Sequence, residues 1–198
     1  MSLPDGYPPV PEPLPVGVVD DHTHLDHLSD ADVDALLAAA AAAGVPRAVQ
    51  IGCDLPAARW TVRAVERWPQ LLGGVAVHPN EAPLLAARGE LDAALAEVEA
   101  LAAHPRVRVV GETGLDRFRT DWSDPAAARA QRESFAAHVA MAERLGKVLQ
   151  IHDRDAHDAV VDTLLRVGAP ERTVFHCFSG DEELARTCAA NEIGRAHV

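Results

Sequence analysis

The sequence predicts an α/β fold, a TIM-type (β/α)8 barrel of which about six βα units are present, on three observations. Four apolar runs each lead to a side chain able to ligate a metal ion: Val16 to Val19 precedes His22 and His24, Arg108 to Gly111 precedes Glu112, Lys147 to Ile151 precedes His152, and Thr173 to Phe175 precedes His176. Parallel α/β sheets carry their chemistry at the carboxyl ends of the strands. Strand ends are expected near His22, Ile51, His78, Glu112, His152 and His176, a mean step of about 30 residues, which is one βα unit. A full barrel takes about 250 residues, so a chain of 198 residues is expected to reach its seventh and eighth strand ends only beyond Val198. A six-stranded open sheet gives the same count, but its diverging outer strands would not bring ligands on the first, fourth, fifth and sixth strands together.

Six prolines among residues 1–15 predict an extended N-terminal arm, leaving the barrel to residues 16–198. His22 and His24 share one side of a strand, whereas on a helix they would stand about 200° apart. The first helix is expected from a Ser29 or Asp30 cap through Ala31 to Ala43, stopped by Gly44. Strand two spans Ala48 to Ile51, and Asp54 caps the next helix with Pro56 in its first turn. Strand three, Leu72 to Val77, runs into His78-Pro79, and a third helix covers Leu91 to Ala103 before Pro105. Beyond Glu112, a loop from Leu115 to Ser123 leads into a long helix from Asp124 or Pro125 to Leu145, ended by Gly146. Helices near Asp155 to Val167 and from Ser179-Gly180-Asp181 to about Asn191 follow strands five and six.

A chain that is 48% hydrophobic but only 4% aromatic must build its core from Ala, Leu and Val. It has neither a long uncharged apolar run nor a basic start followed by an apolar one, so no membrane span or secretory signal is expected, and a cytoplasmic location is. Cys53, Cys177 and Cys188 are odd in number and widely spaced, which predicts reduced thiols, with Cys177 a small buried hydrophobe turned from the rim. A net charge of −12 excludes a broad basic nucleic-acid surface, though not an enzyme that meets phosphate through bound cations.

Imidazole and carboxylate donors without thiolates suit Zn, Mn, Fe or Mg and an open catalytic site. Five ligands exceed the needs of one tetrahedral ion, so Glu112 is expected to bridge two ions about 3.5–4 Å apart, His22 and His24 on one, His152 and His176 on the other. His78 either donates to a substrate phosphate or is a solvated turn residue. Arg154 either clamps phosphate or pairs with Asp153, Asp155 or Asp158. Ser179 and Gly180 are expected to open a helix, offering N–H groups to an anion or serving as an ordinary cap. Asp20 is expected to hold the free ring N–H of a ligating histidine or to start the turn. Asp116 and Arg117 shape a substrate groove or face solvent, and His27, His104, His138, His157 and His197 are surface or helix-face residues.

Five blocks carry a resemblance: Val19-Asp20-Asp21-His22-Thr23-His24-Leu25-Asp26, Val77-His78-Pro79, Gly111-Glu112-Thr113-Gly114-Leu115-Asp116, Ile151-His152-Asp153-Arg154-Asp155-Ala156 and Phe175-His176-Cys177-Phe178-Ser179-Gly180. In this order they resemble the signatures of the TatD family of metal-dependent deoxyribonucleases, from about Val16 to Gly194. The H-x-H pair is shared by many amidohydrolase-like barrels; G-E-x-G-L-D and F-H-C-F-S-G together are specific. The resemblance implies a hydrolase with two divalent metal ions (Mg, Mn or Zn) that cleaves phosphodiester bonds in DNA, as an exonuclease on single strands or 3′ ends. DNA is then the substrate, with no membrane and no obligate protein partner. It places metal ligands at His22, His24, Glu112, His152 and His176; Glu112 and His78 are the candidate catalytic residues, and His78, Arg154 and Ser179 the candidate substrate contacts. The family's further Asp, in a segment resembling E-T-D-x-P, has no match before Val198, so truncation and an incomplete catalytic set are expected. Two alternatives stand beside it. One is an amidohydrolase-type enzyme for a small amide, lactone or ester, though such enzymes often bridge metals with a Lys where this chain has Glu112, and Lys147 lies at the wrong end of its strand. The other is an inactive fragment.

Overall fold

The computed structural model describes residues 9–191 and 193–195; the first eight residues of the expected arm, and His197 with its neighbours, lie outside the described residues. One parallel sheet takes the order β1 (Val19–Thr23), β2 (Arg47–Gly52), β3 (Leu71–Val75), β4 (Val107–Asp116), β5 (Val148–Arg154), β6 (Thr173–Phe175) and β7 (Gly194–Arg195). Every strand pairs with its neighbours in sequence, so the order never reverses as it does at the switch point of a doubly wound sheet. This is the winding of a barrel, with six βα units and the opening residues of a seventh strand.

The helices form where capping and apolar spacing agree. Ser29 Oγ accepts from Asp32 N at the start of α1 (Asp30–Ala42), and Asp54 Oδ1 accepts from Ala57 N at the start of α2 (Leu55–Arg67). A short α3 (Ala82–Ala87), not expected from the sequence, precedes α4 (Leu91–Ala102). Asp124 caps α5 (Pro125–Leu145), which Gly146 ends in the left-handed conformation at φ 60°. Asp155, also left-handed at φ 56°, delays α6 (His157–Val167) beyond its expected start, and α7 (Glu182–Ala190) completes the set among the described residues.

The core follows the composition. Phe135, Met141, Leu149, Ile151, Leu164 and Phe175 are filled in by alanines such as Ala58, Ala94, Ala102 and Ala142, while Val33, Leu37, Trp68 and Leu71 form a second cluster between α1 and α2. Two strands depart from expectation. Val16 and Val18 lie outside β1 and are exposed, because Val18 N donates to Gly44 O and ties this stretch to the end of α1. The fourth strand does not end at Glu112: its register against β5 shifts between Val110 and Thr113, then pairing continues to Asp116. Such a bulge re-aims a side chain without ending the strand. Gly114 makes the continuation possible, since at φ 144° a Cβ there would lie 2.0 Å from His152 O.

Candidate metal centre

His22 in β1 and His24, one residue beyond it, turn to the same side. The His22 Nδ1 lies 2.9 Å from Gln150 Oε1, and Gln150 uses its amide N–H on Asp21 O, so the oxygen faces the ring and His22 Nδ1 carries the proton. His24 Nδ1 lies 3.1 Å from Ile51 O, a carbonyl that can only accept, so it too is protonated. Both Nε2 atoms therefore carry lone pairs. They face each other at 3.0 Å, with Glu112 Oε2 3.4 Å from His22 Nε2. Two donors each about 2.0–2.2 Å from one ion lie about 3–3.5 Å apart. Three acceptors converging in this way repel one another unless a cation joins them, and imidazole with carboxylate is a donor set for a divalent ion.

The other carboxylate oxygen faces a second set. Glu112 Oε1 lies 2.6 Å from His152 Nδ1, and His152 Nε2 lies 3.1 Å from Asp116 Oδ2. Burial works to raise the Glu112 pKa, but the hydrogen bond from His152 and the charge of the neighbouring rings outweigh it and hold the carboxyl well below the usual carboxylate range. For His152 burial works downward, and Glu112 and Asp116 outweigh it, leaving the ring raised. His78 completes the set, its Nε2 3.4 Å from His152 Nδ1 and 4.0 Å from Glu112 Oε1. Asn80 N donates to His78 Nδ1, so the proton sits on Nε2, and burial, then His152, pushes its pKa down to about 4. His78 is thus a neutral N–H donor aimed into the site.

The structure does not bring His176 into either convergent group among the described residues. Its ring stacks on His22, centroids 3.5 Å apart and planes 10° from parallel, and its Nδ1 is buried without a partner. Burial, then His22, lowers its pKa, which favours the neutral ring beside His22. This fits a cation-binding role better than a packed core histidine, whose ring nitrogens would be bonded.

Several expectations are corrected. Arg154 neither pairs with Asp153, Asp155 nor Asp158; its guanidinium lies over the Phe118 ring at 4.2 Å. Ser179 does not open α7, because Asp181 takes the cap position and accepts from Leu184 N, with Glu182 and Glu183 in the first turn. Asp20 accepts the backbone N–H of His22, not a ring N–H. Asp116 is fully buried against His152 and shapes no groove. Cys177 is exposed, at φ 46°. His138 is buried on the inner face of α5, donating from Nδ1 to Ser134 O and accepting from Val77 N. Sequence reasoning missed Gln150, which fixes the His22 tautomer, and Cys53, whose Sγ lies 3.9 Å from Glu112 Oε2. Gln150 had a signal: it stands two residues before His152 in an apolar strand, hence on the same side.

The family profile described as TatD related DNase matches residues 19–194. The chain belongs to the TatD related DNase family. A Mycobacterium tuberculosis relative, "Uncharacterized metal-dependent hydrolase TatD", is 46% identical over 175 residues, which cover 86% of this chain and 64% of that protein. The Musicola paradisiaca protein named "3'-5' ssDNA/RNA exonuclease TatD" is 32% identical over 162 residues, 80% of this chain and 58% of its own length. The chain thus spans less than two thirds of the length of either TatD relative. Among solved structures, YJJV, a TatD homologue of Escherichia coli K12, superposes with a TM-score of 0.76 at 25% identity, over 89% of this chain and 66% of that one. A TatD family hydrolase from Entamoeba histolytica shares the fold, with a TM-score of 0.76 at 19% identity and coverage of 92% and 65%.

Proposed function

We propose that the chain is a metal-dependent hydrolase that cleaves phosphodiester bonds in DNA, acting on single strands or 3′ ends. The observation that carries this reading is Glu112: its two oxygens face separate histidine sets, the arrangement a bridging carboxylate needs. Support for the substrate comes from the exonuclease named above, at 32% identity. His22 and His24 with Glu112 Oε2 would hold one ion, with His176 beside them, and Glu112 Oε1 with His152 the other. Divalent ions bound there supply positive charge to a phosphate and acidify a water molecule.

The chain's own residues do the rest. Gln150 and Ile51 O fix the tautomers of His22 and His24, so their lone pairs need no rearrangement. Asp116 orients His152 through its far nitrogen. His78 donates its Nε2–H to a phosphate oxygen and, being neutral at working pH, does so without proton transfer. Glu112 remains ionised throughout, held so by its histidines.

The test is incubation of the chain with 5′-labelled single-stranded oligonucleotides in Mn2+, beside simple amide substrates. Progressive shortening from the 3′ end, abolished by Glu112→Ala, is expected. Amide hydrolysis without DNA cleavage, or full nuclease activity in Glu112→Ala, overturns the reading.

A further inference from the structure

We propose that the loop after β4, with Arg154, is a stacking platform that receives a base of single-stranded nucleic acid. This rests on the nucleic-acid reading above and adds the contact that recognises the strand. Phe118 is 61% exposed, one face covered by the Arg154 guanidinium at 4.2 Å. Beside it, Trp122 lies under two more guanidiniums, those of Arg117 at 4.9 Å and Arg132 at 4.5 Å.

Several surface arginines are tied up in ion pairs. Arg59, Arg67, Arg88, Arg144 and Arg186 each hold a carboxylate. Arg117, Arg132 and Arg154 have no ion-pair partner among the described residues, although the chain carries a net charge of −12 and Asp121 and Asp155 lie in the same stretches. Rings, not carboxylates, hold these cations, which leaves their charge free for phosphate. An exposed ring with guanidiniums stacked on it and beside it suits a strand that offers bases and phosphates in alternation.

The loop is already set for binding. Arg119 N donates to Asp116 Oδ1, Arg117 N to Arg154 O, Trp122 Nε1 to Gln131 Oε1, and Gln131 Nε2 to Thr120 Oγ1. A loop pinned this way loses little freedom when a ligand docks. It also adjoins the site: Asp116, two residues before Phe118, bonds His152. A base stacked on Phe118 therefore places the neighbouring phosphates towards the metal centre.

The test measures fluorescence anisotropy of labelled oligothymidylate against an abasic strand of equal length, at low salt with chelator, using the full chain. The unaltered chain should prefer the base-bearing strand, Phe118→Ala should weaken binding to it about 5- to 150-fold and erase the preference, and Phe118→Trp should restore it. Melting curves confirm that the variants fold. A preference that survives Phe118→Ala, or no preference in a chain that cleaves DNA, overturns the platform alone. If the unaltered chain neither binds in chelator nor cleaves either strand in Mn2+, the nucleic-acid reading falls and the platform with it.

Discussion

Adding Mn2+ should raise the melting temperature of the chain, and Glu112→Ala should abolish the rise. The His22 and His24 lone pairs stand 3.0 Å apart with Glu112 Oε2 3.4 Å from the first, an arrangement that repels itself and attracts a cation. The unfolded chain does not hold these atoms together, so an ion binds the folded form and stabilises it by mass action. At a free concentration about 100 times Kd the gain is about 2.7 kcal/mol. For a chain of 198 residues, each kcal/mol moves the midpoint by about 2–4 °C, so the rise is about 5–11 °C. Glu112→Ala removes the carboxylate that faces both histidine sets and weakens both at once. Differential scanning fluorimetry with Mg, Mn and Zn reads the shift directly. No shift with any of the three, or an equal shift in Glu112→Ala, refutes the reasoning.

Four further outcomes are expected. Gln150→Leu removes the acceptor that fixes the His22 tautomer, and Mn2+ affinity by titration calorimetry should fall about 10- to 100-fold; unchanged affinity would mean Gln150 does not set the ligand. Iodoacetamide at about pH 8, near the ordinary thiol pKa, should label exposed Cys177 and spare Cys53, whose thiol is pushed far up by burial and then by Glu112, as peptide mass spectrometry will show. Burial pushes His138 down to about 4 from its ordinary 6.5, so its contribution to stability is present above about pH 6.5 and lost as pH falls through 4. That loss is about 3 kcal/mol, and urea titrations of His138→Gln should show a flatter pH dependence in this window. Gly114→Ala should destabilise the fold by about 3 kcal/mol or more, since the new Cβ meets His152 O and the backbone is held at φ 144°; a melting curve like that of the unaltered chain would contradict the close approach.

What the sequence made legible was local. Asp54 with Pro56, and Asp124 with Gly146, mark helix ends through bonds made within a few residues, and α2 and α5 begin or end where those signals stand. The apolar runs marked the strands, and the residues after them lie at the carboxyl rim. What was hidden depends on distant partners. The extension of β4 to Asp116 needs β5 alongside it, and α3 has only six residues, too few for a helical period to show. Cys53 meets Glu112 only because β2 and β4 curl towards one centre. His138 was expected as a surface or helix-face residue; it lies among Phe135, Val139 and Ala142, buried on the same helix, and a histidine there is acceptable only because Ser134 O and Val77 N satisfy its ring.

Three histidines of the centre, His152, His78 and His176, differ in one respect that bears on ion binding. His152 lies between two carboxylates, and their hydrogen bonds raise its pKa against the effect of burial. His78 and His176 are buried without such compensation and are lowered. A protonated His152 must release a proton before it can bind an ion, because both of its nitrogens then carry hydrogen. Binding of an ion at His152 would therefore be coupled to proton release. At His22 and His24 the Nδ1 atoms face Gln150 Oε1 and Ile51 O, and the Nε2 atoms turn towards each other beside Glu112 Oε2. A cation held by His22, His24 and Glu112 would draw charge from the carboxylate that accepts the His152 hydrogen bond, and so would ease release of that proton.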